Sequence, residues 1–491
     1  MNPNRSIRNI LFVTSECYPL AKVGGLADVS SSLPRALAAK GLNVITLLPA
    51  YPGAQAQLEN TRTLGSIDGP LLEPGLSLIE GTVKQTGQRV WLLQAPESYD
   101  RDGTPYADAH GHDWPDNWQR YAQLCRVACK IASGHVADWQ PDLVHCNDWQ
   151  TGLIPVLLKQ ASSAPPTLFT IHNLAYLGLF DGDIFGQLQL PASLWSFDAL
   201  EFYGQFSYLK GGLGFADALT TVSPTYAKEI QTEAYGCGLD GLLRYRKKAL
   251  TGILNGVDYE TWSPETDSAI AFPYTSQSLT EKTKNKQYLQ KQTGLASNPS
   301  EPLIGLISRL VEQKGIDLVI ELIKAYADEP VQWTILGNGN ADYERELKAL
   351  ADAHPSTISF TPGYDEQLAH QIEAGADFFL MPSRYEPCGL NQMYSLRYGT
   401  VPIVTPTGGL ADTIVHTTPG TLDKKQATGF VTKGADLPSL KQTFKQALNI
   451  YKDKPAWLKL RRTGMQQDFS WEKSAAAYLQ LYEKTLNAMT T

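Results

Sequence analysis

Two distant stretches of the chain begin in the same way. Asn9-Ile-Leu-Phe-Val-Thr-Ser15 is a short apolar, β-rich run. It leads through Gly24-Gly25 into a helical pattern over 26–40, and Asn43-Val-Ile-Thr-Leu-Leu48 then reads as a strand. Leu303-Ile-Gly-Leu-Ile-Ser308 starts the second copy. A loop holding Gly315 follows it, then a helical pattern over 316–326 and a strand over 331–336. Apolar strands alternating with helices indicate parallel sheets covered on both faces. The alternation continues through strands at 358–360, 377–381 and 401–404, with helices over 366–374 and 390–398. In the first half, 143–145 and 167–172 are further strand candidates. The expected class is therefore α/β, with two doubly wound, Rossmann-like domains, and 491 residues leave room for two large ones. The segment from about 258 to 302 is polar, and the interdomain connection is placed near its start. Ligands of open α/β sheets sit beyond the carboxyl ends of the strands. With two such sheets, the expected site is the cleft between the domains.

The charge balance narrows the partners. Lys and Arg number 42 against 50 Asp and Glu, a formal charge of −8. A general nucleic-acid binder of this size should carry a basic surplus, so no nucleic-acid partner is expected. An anionic small substrate is not excluded, because binding depends on local charge. There is no apolar run of membrane-spanning length and no apolar signal core at the start, so no membrane partner is expected. Six cysteines read as reduced thiols, and the expected location is the cytoplasm. A mature plant-type enzyme of the plastid stroma would look the same. Cys125 and Cys129 would share a helix face, but without a second close pair packing is the better reading than zinc. The 23 tyrosines and 10 tryptophans are first assigned to core packing and only second to stacking on sugars or bases.

Several loops carry chemistry, each with a plainer alternative. Lys22-Val-Gly-Gly-Leu26 lies between the first strand and the first helix. Glycines there admit a ligand to the backbone and the helix start offers N–H groups to an anion; a tight turn with a solvated lysine reads equally well. Ser308-Arg-Leu-Val-Glu-Gln-Lys-Gly315 takes the equivalent place in the second half. Arg309 and Lys314 there suit a diphosphate, or are two surface cations. Arg384-Tyr-Glu-Pro-Cys-Gly-Leu390 puts Glu386 at a strand end, with Gly389 opening the next helix. Thr407-Gly-Gly-Leu410 repeats that arrangement one strand later. A carboxylate such as Glu386 binds sugar hydroxyls or balances positive charge, but in isolation it is more often a helix cap. His172 and Asp148 each end a strand and fall on the same predicted crevice. Gly337-Asn-Gly-Asn340 is only a weak dinucleotide signal. Motifs for P-loop kinases, zinc proteases and serine hydrolases are absent.

These pieces, in this order, resemble bacterial glycogen synthases and plant starch synthases, which are retaining glucosyltransferases of the GT-B fold. The resemblance covers essentially the whole chain. It rests on Lys22-Val-Gly-Gly-Leu-Ala-Asp-Val29, Asn147-Asp-Trp-Gln-Thr-Gly152, Thr170-Ile-His-Asn-Leu-Ala-Tyr176, Leu219-Thr-Thr-Val-Ser-Pro224, Tyr235-Gly-Cys-Gly-Leu239 and Ile253-Leu-Asn-Gly-Val-Asp258. It continues with Ser308–Gly315, Gly363-Tyr-Asp365, Arg384–Leu390 and Thr407-Gly-Gly-Leu-Ala-Asp412. The resemblance implies an acceptor-side domain over 1–258, a nucleotide-sugar domain over 259–468 and, over 469–491, a closing helix that crosses back to the first domain and runs to about Met489. It implies that Lys22, Arg309 and Lys314 grip the donor diphosphate, helped by backbone N–H groups near Gly25 and Leu410. Tyr364 is similarly placed to an adenine-stacking aromatic. His172 and Asp148 match residues lining the transferred glucose and the acceptor side, and Asn255 and Asp28 match glucose contacts. Glu386 matches the acidic residue essential for transfer, with Cys388 beside it. Gly24, Gly25, Gly389, Leu390, Thr407, Gly408 and Gly409 complete the donor side.

Departures from the family pattern fall at three places. Val23 stands where many bacterial members have Thr. The Asp148 motif reads N-D-W-Q instead of H-D-W-H. Tyr394 occupies the place of a second glutamate found in the broader superfamily, so only Glu386 counts as catalytic.

The implied reaction moves α-D-glucose from ADP-glucose to the nonreducing 4-OH of an α-1,4-glucan or maltooligosaccharide, with retention and release of ADP. An oxocarbenium-like sugar forms while the diphosphate gains charge. Arg309 and Lys314 would stabilise the leaving group, Glu386 the positive ring, and His172 would position the glucose. No covalent nucleophile is evident, and the family is thought to react by front-face substitution. Cations would do the work a metal does elsewhere, so neither metal nor cofactor is expected. Closure of the domains should assemble the site. The alternatives are a UDP-glucose or dual-donor GT-B glucan synthase and, in another class, a non-catalytic glucan-binding protein.

Overall fold

The computed structural model describes residues 7–161 and 163–488. Residues 1–6, part of the stretch read for a signal, and Met489 lie outside the described residues. The chain forms two compact units, Met1–Gly256 with Trp471–Thr491, and Val257–Ser470.

The strands of the first unit are β1 (Asn9–Val13), β2 (Asn43–Pro49), β3 (Leu58–Ser66), β4 (Ser77–Val83), β5 (Arg89–Gln94), β6 (Leu143–Asn147), β7 (Thr167–Ile171), β8 (Leu179–Asp181), β9 (Glu201–Phe202), β10 (Gln205–Ser207), β11 (Ala218–Thr221) and β12 (Leu250–Gly252). Nine of them make one sheet in the order β12-β11-β7-β6-β1-β2-β5-β4-β3. It is parallel from β12 to β5, and β4 and β3 extend it as an antiparallel meander. β8, β10 and β9 form a separate three-stranded sheet. β1 sits between β2 and β6, so the strand order reverses there. The loops after β1 and β6 therefore diverge and leave a crevice at the carboxyl edge.

One face of this sheet packs against the helix Gly25–Ala39 and the last helix, Trp471–Ala488. Ile10, Phe12, Leu33, Leu37, Tyr478 and Tyr482 are buried together there. The closing helix thus belongs to the first unit. It is tied in by polar contacts as well, because Tyr482 Oη lies 2.7 Å from His145 Nδ1 and Ser474 Oγ donates to Leu254 O at 2.7 Å.

The second unit holds β13 (Leu303–Ile307), β14 (Gln332–Gly337), β15 (Ile358–Pro362), β16 (Phe378–Met381), β17 (Val401–Val404) and β18 (Phe430–Val431). All are parallel, in the order β15-β14-β13-β16-β17-β18, and the reversal falls between β13 and β16. Alternate residues serve opposite cores. Ile304, Leu306, Trp333, Phe378 and Ile403 enter one, while Leu303, Leu336, Phe379, Met381 and Val404 enter the other. That is the two-sided burial expected of apolar parallel strands.

The polar segment 258–302 also contains a helix, Thr280–Gln292. Its buried face is Lys282, Asn285, Lys286, Leu289 and Gln290. Lys282 Nζ donates to Ala374 O at 2.9 Å and Thr400 Oγ1 at 2.7 Å, and Lys286 Nζ pairs with Asp377 at 2.6 Å. The helix docks by satisfying carbonyls and a carboxylate, so an apolar stripe is not needed. A further difference concerns Gly389. It stands at φ 69° ahead of the helix Asn391–Tyr398 and does not open it.

Candidate active site

In the first unit, the loop after β1 is organised by a carboxylate that the sequence reading passed over. Glu16 is buried and accepts from Val23 N–H at 2.6 Å, Gly24 N–H at 2.9 Å and Tyr106 Oη–H at 2.5 Å. Two N–H groups expected to face an incoming anion are therefore already bound within the chain. Lys22 Nζ pairs with Asp28 Oδ1 at 2.8 Å, both side chains about one-third exposed. Gly24 has φ −146°, and neither Gly24 nor Gly25 would bring a Cβ within 4 Å of another group. The chain's own packing does not demand glycine at either place, so the backbone is left approachable from outside.

At the end of β6, Asp148 has φ 56° and ψ −178°, a region that non-glycine residues seldom adopt. Its Oδ1 accepts His172 N–H at 2.8 Å and Asn173 N–H at 3.5 Å, joining the ends of β6 and β7. Burial raises this carboxyl to about 7, against the pull of those two N–H groups. Burial lowers His172 to about 3, so the ring is neutral at ordinary pH. His172 Nε2 lies 3.0 Å from Asn147 Oδ1. Asn255, just past β12, is buried, and its Oδ1 has no hydrogen-bond partner in the described residues. Gln150 is only 3% exposed, so the residue that departs from the family's His lies in the interior.

In the second unit, the loops after β13 and β16 meet at the switch point. Lys314 Nζ lies 2.6 Å from Glu386 Oε2, the lysine 20% and the glutamate 7% exposed in their side chains. Ser383 Oγ–H donates to the same oxygen at 3.0 Å. A bidentate pair ties the loops further. Arg384 donates to Asp317 Oδ1 at 2.8 Å and Oδ2 at 2.7 Å, and the guanidinium holds that carboxyl below its ordinary range. Gln313 Nε2 donates to Tyr385 O at 3.2 Å. Arg309 lies on the first of these loops, its guanidinium 3.4 Å from Gln313 Oε1. Gly315 has φ 68°, and a Cβ there would lie 2.3 Å from Pro382 O.

The Thr407-Gly-Gly loop packs backbone to backbone on the Glu386 loop. A Cβ on Gly408 would lie 1.9 Å from Glu386 O and one on Gly409 2.0 Å from Cys388 O. Gly409 N–H is shared by the carbonyls of Glu386 and Pro387, and Leu410 N–H goes to Thr407 O. These N–H groups too are engaged within the chain. Cys388 and Thr407 are buried, and Leu390 precedes the helix Asn391–Tyr398. Tyr364, past the end of β15, is 62% exposed.

Tyr394 lies flat on Trp262 at 4.0 Å between ring centroids, and His370 covers the other face at 3.8 Å. The place of a second glutamate is thus filled by an aromatic packed inside the unit.

Of the sequence-predicted residues, Asp148 and His172 come together in one unit, as do Lys22 and Asp28. Lys314 and Glu386 meet in the other. Glu16, Asn147, Ser383 and the Arg384–Asp317 pair were missed. Asn147 and Arg384 head motifs already singled out, and Glu16 follows directly on the first strand run; those places were their only signal. No group of three or more His, Cys, Asp or Glu among the described residues is arranged to hold a metal ion. Nor is any helix among them long and apolar enough to cross a membrane.

Two Rossmann-like units, each with charged loops at the switch point of its sheet, define a glycosyltransferase of the GT-B class. Residues 9–245 match the starch synthase catalytic domain, and residues 289–459 match glycosyl transferases group 1. Glycogen synthase 1 of Methylococcus capsulatus is 50% identical over 98% of this chain and 97% of its own length. The glycogen synthase of Cellvibrio japonicus is 50% identical over 97% of this chain and 99% of its own. The catalytic domain of Starch Synthase IV from Arabidopsis thaliana, bound to ADP and acarbose, superposes with a TM-score of 0.88 at 32% identity, covering 98% of this chain and all of that one. The chain belongs to the glycogen and starch synthase family and is a hexosyltransferase.

Proposed function

We propose that this enzyme transfers glucose from ADP-glucose to the nonreducing 4-OH of an α-1,4-glucan with retained configuration. The C1–O bond to the diphosphate breaks, a C1–O4 bond forms, and the acceptor proton leaves with ADP. ADP-glucose as donor draws support from the ADP bound to the Arabidopsis starch synthase, and an α-glucan acceptor from the acarbose that it also binds.

The observation that carries the reading is the Lys314–Glu386 pair at the β13/β16 switch point. The reaction separates charge, with a positive sugar ring and an increasingly negative leaving group. A cation and a carboxylate preset side by side meet both needs. Lys314 and Arg309 take the diphosphate, with Lys22 as a further cation, and Glu386 holds sugar hydroxyls and balances the ring. Tyr364 stacks on the adenine. Asn255 brings a buried oxygen without a partner among the described residues, suited to a sugar hydroxyl. His172 and Asp148 position the glucose, with Asp28 and the loops of Gly24, Gly25, Cys388, Gly389, Leu390, Thr407, Gly408 and Gly409 shaping the donor side. The bacterial relatives favour a cytoplasmic setting.

Radiolabelled ADP-glucose and UDP-glucose, offered separately with glycogen and with short maltooligosaccharides, test this. Incorporation from ADP-glucose into both acceptors is expected. Equal or better incorporation from UDP-glucose replaces the donor assignment, and none from either donor leaves a glucan-binding protein.

A further inference from the structure

Asn147 ends β6 and is wholly buried. Its Nδ2 donates to Val13 O, at the end of β1, at 2.9 Å. A backbone carbonyl can only accept, so the amide nitrogen must face β1. Oδ1 is then left facing His172 Nε2 at 3.0 Å, past the end of β7. That oxygen can also only accept, so Nε2 carries the proton. Three adjacent strand ends thus write one hydrogen-bond direction, from ring to amide to backbone. The ring is neutral, so Nδ1 holds a lone pair, and no hydrogen bond within the described residues uses it.

We infer that Asn147 is a positioning residue that locks His172 as its Nε2–H tautomer, so that Nδ1 accepts a hydrogen bond from a hydroxyl of the transferred sugar. This rests on the reading of His172 as a sugar contact. The amide belongs to the N-D-W-Q form of the motif. An amide oxygen is an acceptor at every pH, whereas a ring at this place would titrate or change tautomer.

The test uses the full-length enzyme with 15N-labelled histidine, His172 being assigned among the eight histidines by its loss in His172→Gln. The wild type should show a protonated Nε2 and a bare Nδ1. In Asn147→Leu the Nε2–H loses its acceptor, the tautomers mix, and kcat should fall roughly tenfold. Asn147→Asp is the second variant. A carboxylate beside the ring favours the imidazolium, so the His172 pKa rises. Nδ1 then becomes protonated as pH falls, and kcat gains an acid-side decline that recovers at high pH. The other titratable groups close by are Asp148 on the His172 backbone, His145 on β6, and Glu16 after β1. They are common to both proteins, so the difference between the two pH profiles belongs to the pair.

A wild-type ring protonated on Nδ1, or a tautomer unchanged in folded Asn147→Leu, overturns the lock. A tautomer that shifts while kcat and its pH profile stay fixed overturns the sugar contact and leaves the lock in place.

Discussion

At the scale of single residues, two glycine pairs that look alike in the sequence have opposite reasons. Gly408 sits at φ 43°, with no room for a Cβ beside Glu386 O, whereas Gly24 has open space and an ordinary conformation. Gly408→Ala should therefore cost about 1–3 kcal/mol in backbone strain and also shift the Glu386 loop, lowering both Tm and kcat. Gly24→Ala should leave stability within about 0.5 kcal/mol and raise the donor KM, as expected if a ligand approaches that backbone. Thermal melts with donor titrations check both, and a large Tm loss in Gly24→Ala would contradict the distinction. Glu386→Gln removes one charge and keeps the shape. Turnover should fall roughly tenfold to a few hundredfold, on the strength of a hydrogen bond to a charged group. A folded variant with near-normal turnover removes Glu386 from the chemistry. The sequence made Glu386, Lys314 and His172 visible because each lies in a motif on a loop that follows a strand. It did not show Asn147 holding His172 or Arg384 holding Asp317, since those partners depend on which strands lie side by side.

At the scale of elements, legibility followed hydrophobic pattern. β13, β16 and β17 were readable because they are apolar throughout, and β14 and β15 because β-branched and aromatic residues dominate them. The helix Thr280–Gln292 was not, because its buried face is mostly Lys, Asn and Gln. β8, β9 and β10 have two or three residues each, too few for a period to register. The polar docking of Thr280–Gln292 has its own pH signature. Glu373, on the helix Glu366–Gly375, is fully buried and accepts from Ser395 Oγ–H at 2.7 Å, and burial raises its carboxyl to about 8 from 4.5. The folded state then binds a proton that the unfolded state has already released. The contribution of this group to stability is therefore greatest below about 4.5 and is lost as pH rises to about 8. Glu373→Gln, which mimics the neutral acid, should flatten that fall and stabilise the protein at pH 8 relative to wild type. Denaturant melts across this range check it, and an unchanged slope would show that Glu373 titrates normally.

At the scale of the whole molecule, each unit carries its own core. Residues 257–470 bury two apolar clusters on opposite faces of a six-stranded sheet. Expressed alone, this segment should unfold in a single cooperative transition; a broad, non-cooperative melt would show that it depends on the rest of the chain. The two-unit plan was legible because the strand–loop–helix opening occurs twice. The antiparallel β3–β4 meander was not, since much of β3 faces solvent and lacks an apolar signature.

The second unit starts and stops at one spot. Val257 N–H donates to Phe469 O at 2.7 Å, and Val257 bridges Ser470. In the first unit, Gly256 lies directly against Trp471. The 214 residues between them are therefore a parenthesis in the text of the first unit, opened and closed at the same point. Striking out the parenthesis and joining Gly256 to Trp471 through a few glycines should leave a sentence that still parses: a nine-stranded sheet with its closing helix in place.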